Sequence, residues 1–201
     1  MIRVDEKVYD YNSLLGKKPV LSGQTLLGKI LRMPLSLLPR ESTIRIVRGP
    51  LRGHKWIVGA SSHGCWAGTF EVDNLAAFAS AIAPGATVYD VGANVGIYTL
   101  LASLRAGPSG RVYAFEPLAR NLHYLHRHVA MNELHNCSIM EFAVSDTEGT
   151  QRFSAASWDY SMGRLSQNGE LEVRTVALDS CIYGKQKLPP PNVIKIDVEG
   201  S

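Results

Sequence analysis

The sequence predicts a doubly wound α/β fold built on a mainly parallel sheet. Between residues 87 and 198, short apolar strands alternate with helices, and short loops join them. This alternation is typical of a parallel sheet that is covered on both faces. A glycine-containing loop, GANVG at 92–96, follows the first of these strands, at the edge where open sheets bind ligands. A chain of 201 residues is long enough for one domain with a hydrophobic core.

Composition and charge exclude several classes of protein. Hydrophobic residues make up 45% and charged residues 19% of the chain, as in ordinary soluble domains. No apolar run approaches the roughly 18 residues that span a bilayer, and the N-terminus mixes charges of both signs. We therefore expect no secretory signal and no membrane span, and a cytoplasmic location is the default. The three cysteines have no CxxC spacing, which argues against a disulfide framework and a zinc site.

The net charge of +3 is unevenly distributed, because the Lys/Arg excess lies in residues 1–60. An acidic substrate or a membrane surface would suit this basic region, but a solvated face is the preferred interpretation. We expect no nucleic-acid partner and no bound metal.

Residues 1–84 are predicted to precede a cofactor-binding domain at 85–201. The pattern predicts a helix at 22–33, hairpin strands at 43–48 and 55–58, and a helix from Asn74 to Ala83. Ser22 is the expected cap of the first helix, and Asn74 is the expected cap of the last.

The parallel part of the sheet is predicted from four apolar runs. The strands are expected at 87–91, 111–116, 138–144 and 192–198. A helix through Ala106 should turn Ile97, Leu100, Leu101 and Leu104 inward, and the next helix repeats Leu118, Leu122, Leu125 and Val129 at helical spacing. Two further strands, at 150–155 and 171–178, are expected on either side of a polar loop. The histidines of this region, His123, His126, His128 and His135, are predicted to lie on a flank or a solvated face.

Three features at the carboxyl ends of the strands predict a site for an adenosine-containing ligand. Asp90 and the loop at 92–96 come first, and glycines there let the backbone turn tightly before a helix N-terminus. Glu116 ends the next strand, where a carboxylate can accept hydrogen bonds from a ribose diol. The segment Glu141-Phe142-Ala143 ends the third strand, beside the expected adenine.

The loop sequence bears on which adenosine cofactor is bound. A dinucleotide loop reads GxGxxG, whereas this loop has Asn94 in place of the middle glycine. Asp90, two positions before the loop, suits the amino group of a methionine moiety or a bound water better than a pyrophosphate. A nicotinamide cofactor and a strand-to-helix turn without any ligand remain the alternatives at this point.

Four motifs in order resemble those of the FkbM-type methyltransferases. They are VYDVGANVGIYTLLAS, GRVYAFEPLARNLHYLHRHVAMN, AVSDTEG and VIKIDVEG, and the resemblance covers about residues 49–201. It implies a fold of the seven-strand methyltransferase (Rossmann-like) type, with S-adenosyl-L-methionine as the cofactor. It also implies an O-methyltransferase that modifies a hydroxyl of a sugar, polyketide or other secondary metabolite, so the partner would be a small-molecule or glycan acceptor.

The resemblance also implies roles for individual residues. Glu116 would bind the ribose, the Ala143 backbone would meet the adenine, and Glu71 would close the site from above. Asp197 would face the reacting end of the cofactor, and it is the candidate catalytic base because Glu199 should point to the opposite side. The methionine part of the cofactor would be held by Asp90, Gly92, Asn94 and Gly96.

The chain stops soon after its fourth core strand, whereas members of the resembled family continue. The expectation is therefore an N-terminal piece of a longer protein, with the C-terminal part of the sheet missing. An inactive cofactor-binding fragment or pseudo-enzyme is then the alternative to an active methyltransferase, and a nicotinamide oxidoreductase is a further one. An uncovered last strand also leaves an edge through which an oligomer can form.

Overall fold

The computed structural model describes residues 38–156, 159–165, 169–184 and 186–198. The chain divides into two compact units, Met1–Pro39 and Arg40–Ser201, and all the elements given below belong to the second. The predicted helix at 22–33 lies outside the described residues. The predicted boundary between residues 84 and 85 remains a prediction.

Ten strands and five helices follow one another in the part of the chain that is described. The strands are β1 (Thr43–Arg45), β2 (Lys55–Ile57), β3 (Thr87–Val91), β4 (Arg111–Phe115), β5 (Cys137–Met140), β6 (Ala143–Val144), β7 (Gly149–Ala156), β8 (Asp159–Leu165), β9 (Leu171–Val176) and β10 (Val193–Ile196). The helices are α1 (His63–Ala67), α2 (Val72–Ala81), α3 (Ile97–Ala106), α4 (Ala119–Met131) and α5 (Leu178–Tyr183). None of the described helices is long and apolar enough to cross a bilayer.

The central sheet is parallel throughout and has the strand order β10–β3–β4–β5. The prediction that the strand at 87–91 lies between those at 111–115 and 193–198 is confirmed. The order reverses at β3, because the chain moves from β3 to β4 and β5 on one side and returns to β10 on the other. The carboxyl ends of β3, β4 and β10 therefore meet at a topological switch point, where open α/β sheets bind ligands.

The two faces of the central sheet are covered by different elements. Strand residues point alternately to opposite faces, so Val88 and Val112 pack with Ala102 and Ala106 of α3 on one face. Ala114 packs with Leu125 of α4 on the same face. The opposite face contacts the second sheet and α5 through the buried cluster Tyr89, Val91, Tyr113, Phe115, Phe142, Val176 and Cys181. Ile194 and Ile196 of β10 are 44% and 64% exposed within the described residues.

Two smaller sheets complete the described part. β1 and β2 form the predicted antiparallel hairpin. A second four-stranded sheet has the order β6–β9–β7–β8, in which β7 pairs antiparallel with both β8 and β9, and β6 pairs parallel with β9. β7 and β9 agree with the strands predicted from the sequence, whereas β8 lies where a polar loop was predicted.

Several boundaries predicted from the sequence are wrong. The single strand predicted at 138–144 is two strands in different sheets, because the chain leaves the central sheet after Met140 and pairs through β6 with β9. α2 begins at Val72, with Glu71 as its N-cap residue, so Asn74 lies inside the helix. Leu104, which was expected to point inward, is 37% exposed. The strand predicted to reach 178 ends at Val176, and α5 begins at Leu178.

Candidate functional site

The loop at 92–96 joins β3 to α3 through three residues with positive φ. Gly92 has φ +73°, Asn94 has φ 51° and Gly96 has φ +97°, conformations that glycine and asparagine adopt most readily. The backbone N–H groups of Gly92 and Ala93 both donate to the carbonyl of Phe115, at 3.0 and 2.9 Å. The loop is thereby fastened to the end of β4, and it leads directly into the N-terminus of α3.

Gly92 also lies against the segment that follows β10. A Cβ atom built on Gly92 would stand 2.1 Å from the carbonyl oxygen of Asp197. Two features therefore favour glycine at this position: the left-handed backbone conformation and the lack of space for a Cβ atom. The loop and the end of β10 therefore form one tightly packed unit.

We expect Gly92→Ala to destabilise the fold strongly. The left-handed conformation alone costs a non-glycine residue roughly 1–2 kcal/mol, and the new methyl group would push the Asp197 backbone away. Gly53→Ala is the matched control, because Gly53 has φ +88° and nothing within 4 Å of its virtual Cβ. Thermal unfolding should show a larger loss for the Gly92 variant, and equal losses in both variants would contradict the close packing of loop and strand.

Glu116 follows β4 and is only 4% exposed. Its Oε2 accepts the Asn94 N–H at 2.8 Å, and its Oε1 accepts the Leu118 N–H at 2.9 Å and the Asn121 side-chain amide at 3.2 Å. Burial raises the pKa of this carboxyl group, although these three donors act in the opposite direction. A carboxylate offers about four acceptor positions, and donors from the described residues fill three of them, which leaves one for a further hydroxyl donor.

Asp90 at the end of β3 is fully buried and already has protein partners. The Thr99 hydroxyl donates to its Oδ2 at 2.6 Å. Its Oδ1 lies 3.2 Å from the Nζ of Lys195, yet it accepts no hydrogen bond of good geometry from any described residue. The assignment of Asp90 to the methionine amino group stays a prediction, and the carboxylate is engaged from within the protein.

Lys195 on β10 is a site residue that the sequence analysis missed. Its Nζ donates to the Gly92 carbonyl at 2.8 Å and lies 3.8 Å from Oδ2 of Asp197. The signal was present, since Lys195 interrupts the apolar run of β10 two positions before Asp197, and residues two apart share a strand face. The Asp197 side chain is 67% exposed. Glu199 lies outside the described residues.

Glu71 reaches the same group of charges through Tyr98 of α3. The Tyr98 hydroxyl donates to Oε2 of Glu71 at 2.6 Å, and the Tyr98 ring centroid is 5.0 Å from the Lys195 Nζ. Burial, followed by the bond to Glu71, raises the pKa of the Tyr98 phenol. Glu71 itself has φ 39°, a strained conformation for a residue other than glycine. Its predicted role of closing the site stays a prediction.

Ala143 lies in β6, beyond the end of the central sheet. It pairs with Thr175 of β9 and packs against a cluster of Leu118, Phe153 and Val173. The neighbouring Glu141 is exposed and lies 2.9 Å from His126. The role of the Ala143 backbone beside an adenine stays a prediction.

A family model described as the methyltransferase FkbM domain matches residues 90–201. The match begins at Asp90 and takes in the loop, Glu116, Lys195 and Asp197, and it covers more than half of the chain. The chain belongs to the FkbM methyltransferase family. This membership confirms the Rossmann-like α/β fold that was predicted from the motifs. It also confirms the predicted cofactor, S-adenosyl-L-methionine.

Solved structures similar to this FkbM domain include three methyltransferases. An S-adenosylmethionine-dependent methyltransferase from Aquifex aeolicus is 29% identical over 34% of this chain and 36% of its own, with a TM-score of 0.31. A precorrin-6y C5,15-methyltransferase from Geobacter metallireducens is 19% identical over 35% of this chain and 38% of its own, with a TM-score of 0.32. An S-adenosylmethionine-dependent O-methyltransferase from Thermotoga maritima is 18% identical over 34% of this chain and 27% of its own, with a TM-score of 0.33.

The aligned parts span less than half of each of these three proteins. No protein in the curated set matches the chain significantly.

The residues of the FkbM domain fit an adenosine cofactor with a cationic methionine end. With three donors among the described residues, Glu116 keeps one free acceptor position beside the loop, which suffices for one hydroxyl of the ribose diol. Asp90 adds a buried carboxylate at the end of β3, and its Oδ1 accepts no hydrogen bond of good geometry from the described residues, although the Lys195 ammonium lies 3.2 Å away. Among the residues described, no cluster of three or more metal-ligating side chains occurs.

His128 of α4 supports the loop from behind, and its predicted position on a flank or solvated face is wrong. The ring is 1% exposed and stacks on Trp56 of β2 with a centroid separation of 3.9 Å. Its Nδ1 lies 2.7 Å from the Val95 carbonyl, and its Nε2 accepts the Ile57 N–H at 3.1 Å. These two partners require a neutral ring with its proton on Nδ1. Leu122 and Leu125 marked the buried side of α4, but His128 extends that side by one turn from Leu125.

This neutral His128 ring should make the FkbM domain less stable in acid. Burial lowers the pKa of His128 from 6.5 to about 4, so the unfolded chain takes up a proton at a pH where the folded chain does not. The contribution of His128 to the free energy of unfolding is therefore fully present above pH 6.5, and it is lost as the pH drops towards 4. Between pH 7.5 and pH 5 we expect a loss of about 2 kcal/mol in the free energy of unfolding.

Urea unfolding of the wild type and of His128→Gln at both pH values measures this loss. The variant should lack most of the difference. His126→Gln on the exposed side of the same helix is the control, and it should keep the wild-type dependence. A wild-type dependence in the His128 variant would contradict the assignment.

Proposed function

We propose that this chain is the cofactor-binding part of a methyltransferase that methylates a hydroxyl oxygen. The acceptor is a small molecule or glycan, with sugars, polyketides and related secondary metabolites as the class. The observation that carries the proposal is the convergence of Glu116, Asp90 and Asp197 on the loop at 92–96, each from the carboxyl end of a neighbouring parallel strand. The buried carboxylates of Asp90 and Glu116 thus lie near Asp197, whose side chain is exposed.

Each part of the arrangement suits one requirement of methyl transfer. When bound, the cofactor supplies a methyl group on a sulfonium, which is already strongly electrophilic. The protein therefore contributes mainly by positioning the reactants, and the fastened loop and the buried Glu116 provide a rigid frame for that. Methylation of a hydroxyl also releases a proton, and a carboxylate within reach of the acceptor can take it.

Asp197 is the residue proposed for this proton transfer. Its side chain is 67% exposed, so an acceptor can approach it from solvent, whereas Asp90 and Glu116 are buried. Its nearest described cation is Lys195, 3.8 Å away. The Lys195 ammonium attracts the Asp197 carboxylate and so keeps it near the site, while the exposed side of that carboxylate stays open to an acceptor.

The test is transfer of radiolabel from S-adenosylmethionine to a panel of sugar and polyketide alcohols by the purified chain. Labelled product with an alcohol, and none with the matching deoxy compound, would support hydroxyl methylation. Tight cofactor binding without transfer to any alcohol would favour the inactive cofactor-binding alternative. Transfer to a nitrogen or carbon acceptor alone would overturn the assignment to oxygen.

A further inference from the structure

Lys195 is a nearly buried cation at the centre of the candidate site, and its side chain is 12% exposed. Its ammonium donates to the Gly92 carbonyl at 2.8 Å and lies 3.2 Å from Oδ1 of Asp90. The Tyr98 ring faces it at 5.0 Å, a distance at which a ring attracts a cation. Backbone, carboxylate and aromatic ring together fix the ammonium next to the cofactor loop.

Asp90 and Lys195 depend on each other energetically. Removing one partner of a buried ion pair leaves an uncompensated charge, which destabilises a protein far more than losing the pair as a whole. The other oxygen of Asp90 is occupied by the Thr99 hydroxyl at 2.6 Å. If Asp90 turned to a ligand, Lys195 would lose its buried counter-ion and keep only the exposed Asp197 carboxylate, 3.8 Å away.

Lys195 also connects this buried pair to the exposed carboxylate. Lys195 and Asp197 lie on the same side of the extended segment, and their Nζ and Oδ2 atoms are 3.8 Å apart. The Asp197 N–H is anchored to the Val91 carbonyl at 3.1 Å. This backbone hydrogen bond fixes the position of the Asp197 main chain, and the ammonium attracts the Asp197 carboxylate.

We infer that Lys195 is the positioning residue of the transfer site: Asp90 and the Gly92 carbonyl hold its ammonium, and the ammonium holds the Asp197 carboxylate at the crevice. In this arrangement Asp90 acts through Lys195 and does not bind the cofactor's amino group directly. The part that concerns Asp197 rests on the proposed function, whereas the part that concerns Asp90 and Lys195 does not.

A double-mutant cycle tests the coupling of Asp90 with Lys195. It compares the wild type, Asp90→Asn, Lys195→Met and the double variant. Asp90→Asn removes the buried counter-ion of an ammonium beside the loop that receives the sulfonium of the cofactor, so S-adenosylmethionine, which carries that positive charge, should bind about 10-fold more weakly. The double variant has neither charge, and its dissociation constant should return to within about 3-fold of the wild type. Binding as weak in the double variant as in Asp90→Asn would overturn the inference and assign Asp90 to direct contact.

Thermal unfolding of the same four proteins gives a readout that needs no ligand. Each single variant should melt below the double variant, because each single variant keeps one buried charge without its partner. If a single variant does not fold, the comparison of the double variant with the wild type still decides the binding result. A double variant less stable than both single variants would contradict the pairing.

Turnover tests the contact with Asp197. The double variant should bind S-adenosylmethionine normally yet transfer methyl groups at least about 10-fold more slowly, with the loss in kcat and not in KM. Lys195→Arg keeps the positive charge, so its kcat should lie between those of the double variant and the wild type. Wild-type turnover in the double variant would overturn the positioning role. Absence of transfer by the wild-type chain would refute the proposed function instead, and the binding and melting cycles would still decide the pairing of Asp90 with Lys195.

Discussion

Replacing Asp197 with asparagine is expected to reduce methyl transfer at least 100-fold while leaving cofactor affinity unchanged. Asparagine keeps the size of the side chain but cannot take up the acceptor's proton, and general base catalysis contributes typically 10²- to 10⁴-fold. The side chain is mostly exposed, and the contact of this segment with Gly92 runs through the Asp197 backbone. S-adenosylhomocysteine should therefore bind within about 3-fold of the wild type.

The measurements are kcat with the best alcohol from the acceptor panel and the dissociation constant by calorimetry. Asp146→Asn is the matched control, since Asp146 is an exposed aspartate far along the chain from β10. It should leave both quantities unchanged. An Asp197 variant that retains wild-type turnover would show that the base lies elsewhere or that none is needed.

Replacing Glu116 with alanine is expected to weaken S-adenosylhomocysteine binding by about 10- to 100-fold. A hydrogen bond to a charged acceptor is worth roughly 1.5–3 kcal/mol, and the ribose would lose such an acceptor. The structure adds a second reason, because the Asn94 N–H and the Leu118 N–H would also lose their acceptor. The loop should then become less ordered as well as less complementary to the ligand.

Glu116→Gln separates these two reasons. It retains one oxygen for Leu118 and Asn121 but places an amide near the Asn94 N–H, so it should fold and still bind more weakly than the wild type. Glu172→Gln, at an exposed position of β9, is the control and should bind normally. Unchanged affinity in a folded Glu116 variant would reject its role in the site.

The parallel sheet could be predicted because its strands are short apolar runs separated by helices with clear periodicity. Val88, Val112 and Ala114 are apolar because helices cover them, and this burial is visible in the sequence. The antiparallel sheet was harder to predict, because its register depends on pairing between strands distant in the chain. The break after Met140 is an example, since Ala143 and Val144 continue an apolar run but pair with β9.

The site residues also divide into those that topology places and those that depend on contacts between distant parts of the chain. Asp90 and Glu116 stand at strand ends, so topology alone places them at one edge. Lys195 and His128 were missed because a lysine in an apolar strand and a histidine on a helix are usually solvated. Each of them gains its meaning from a contact across the fold, Lys195 with Asp90 and His128 with Val95.

Calorimetric titration of the purified chain with S-adenosylhomocysteine, and separately with NADH, decides which adenosine cofactor the loop receives. The expected result is binding of S-adenosylhomocysteine at one site per chain, together with no binding of NADH. The asparagine in the middle of the loop and the buried carboxylates beside it disfavour a pyrophosphate there. Binding of NADH in preference to S-adenosylhomocysteine, or no binding of S-adenosylhomocysteine by the folded chain, would contradict this expectation.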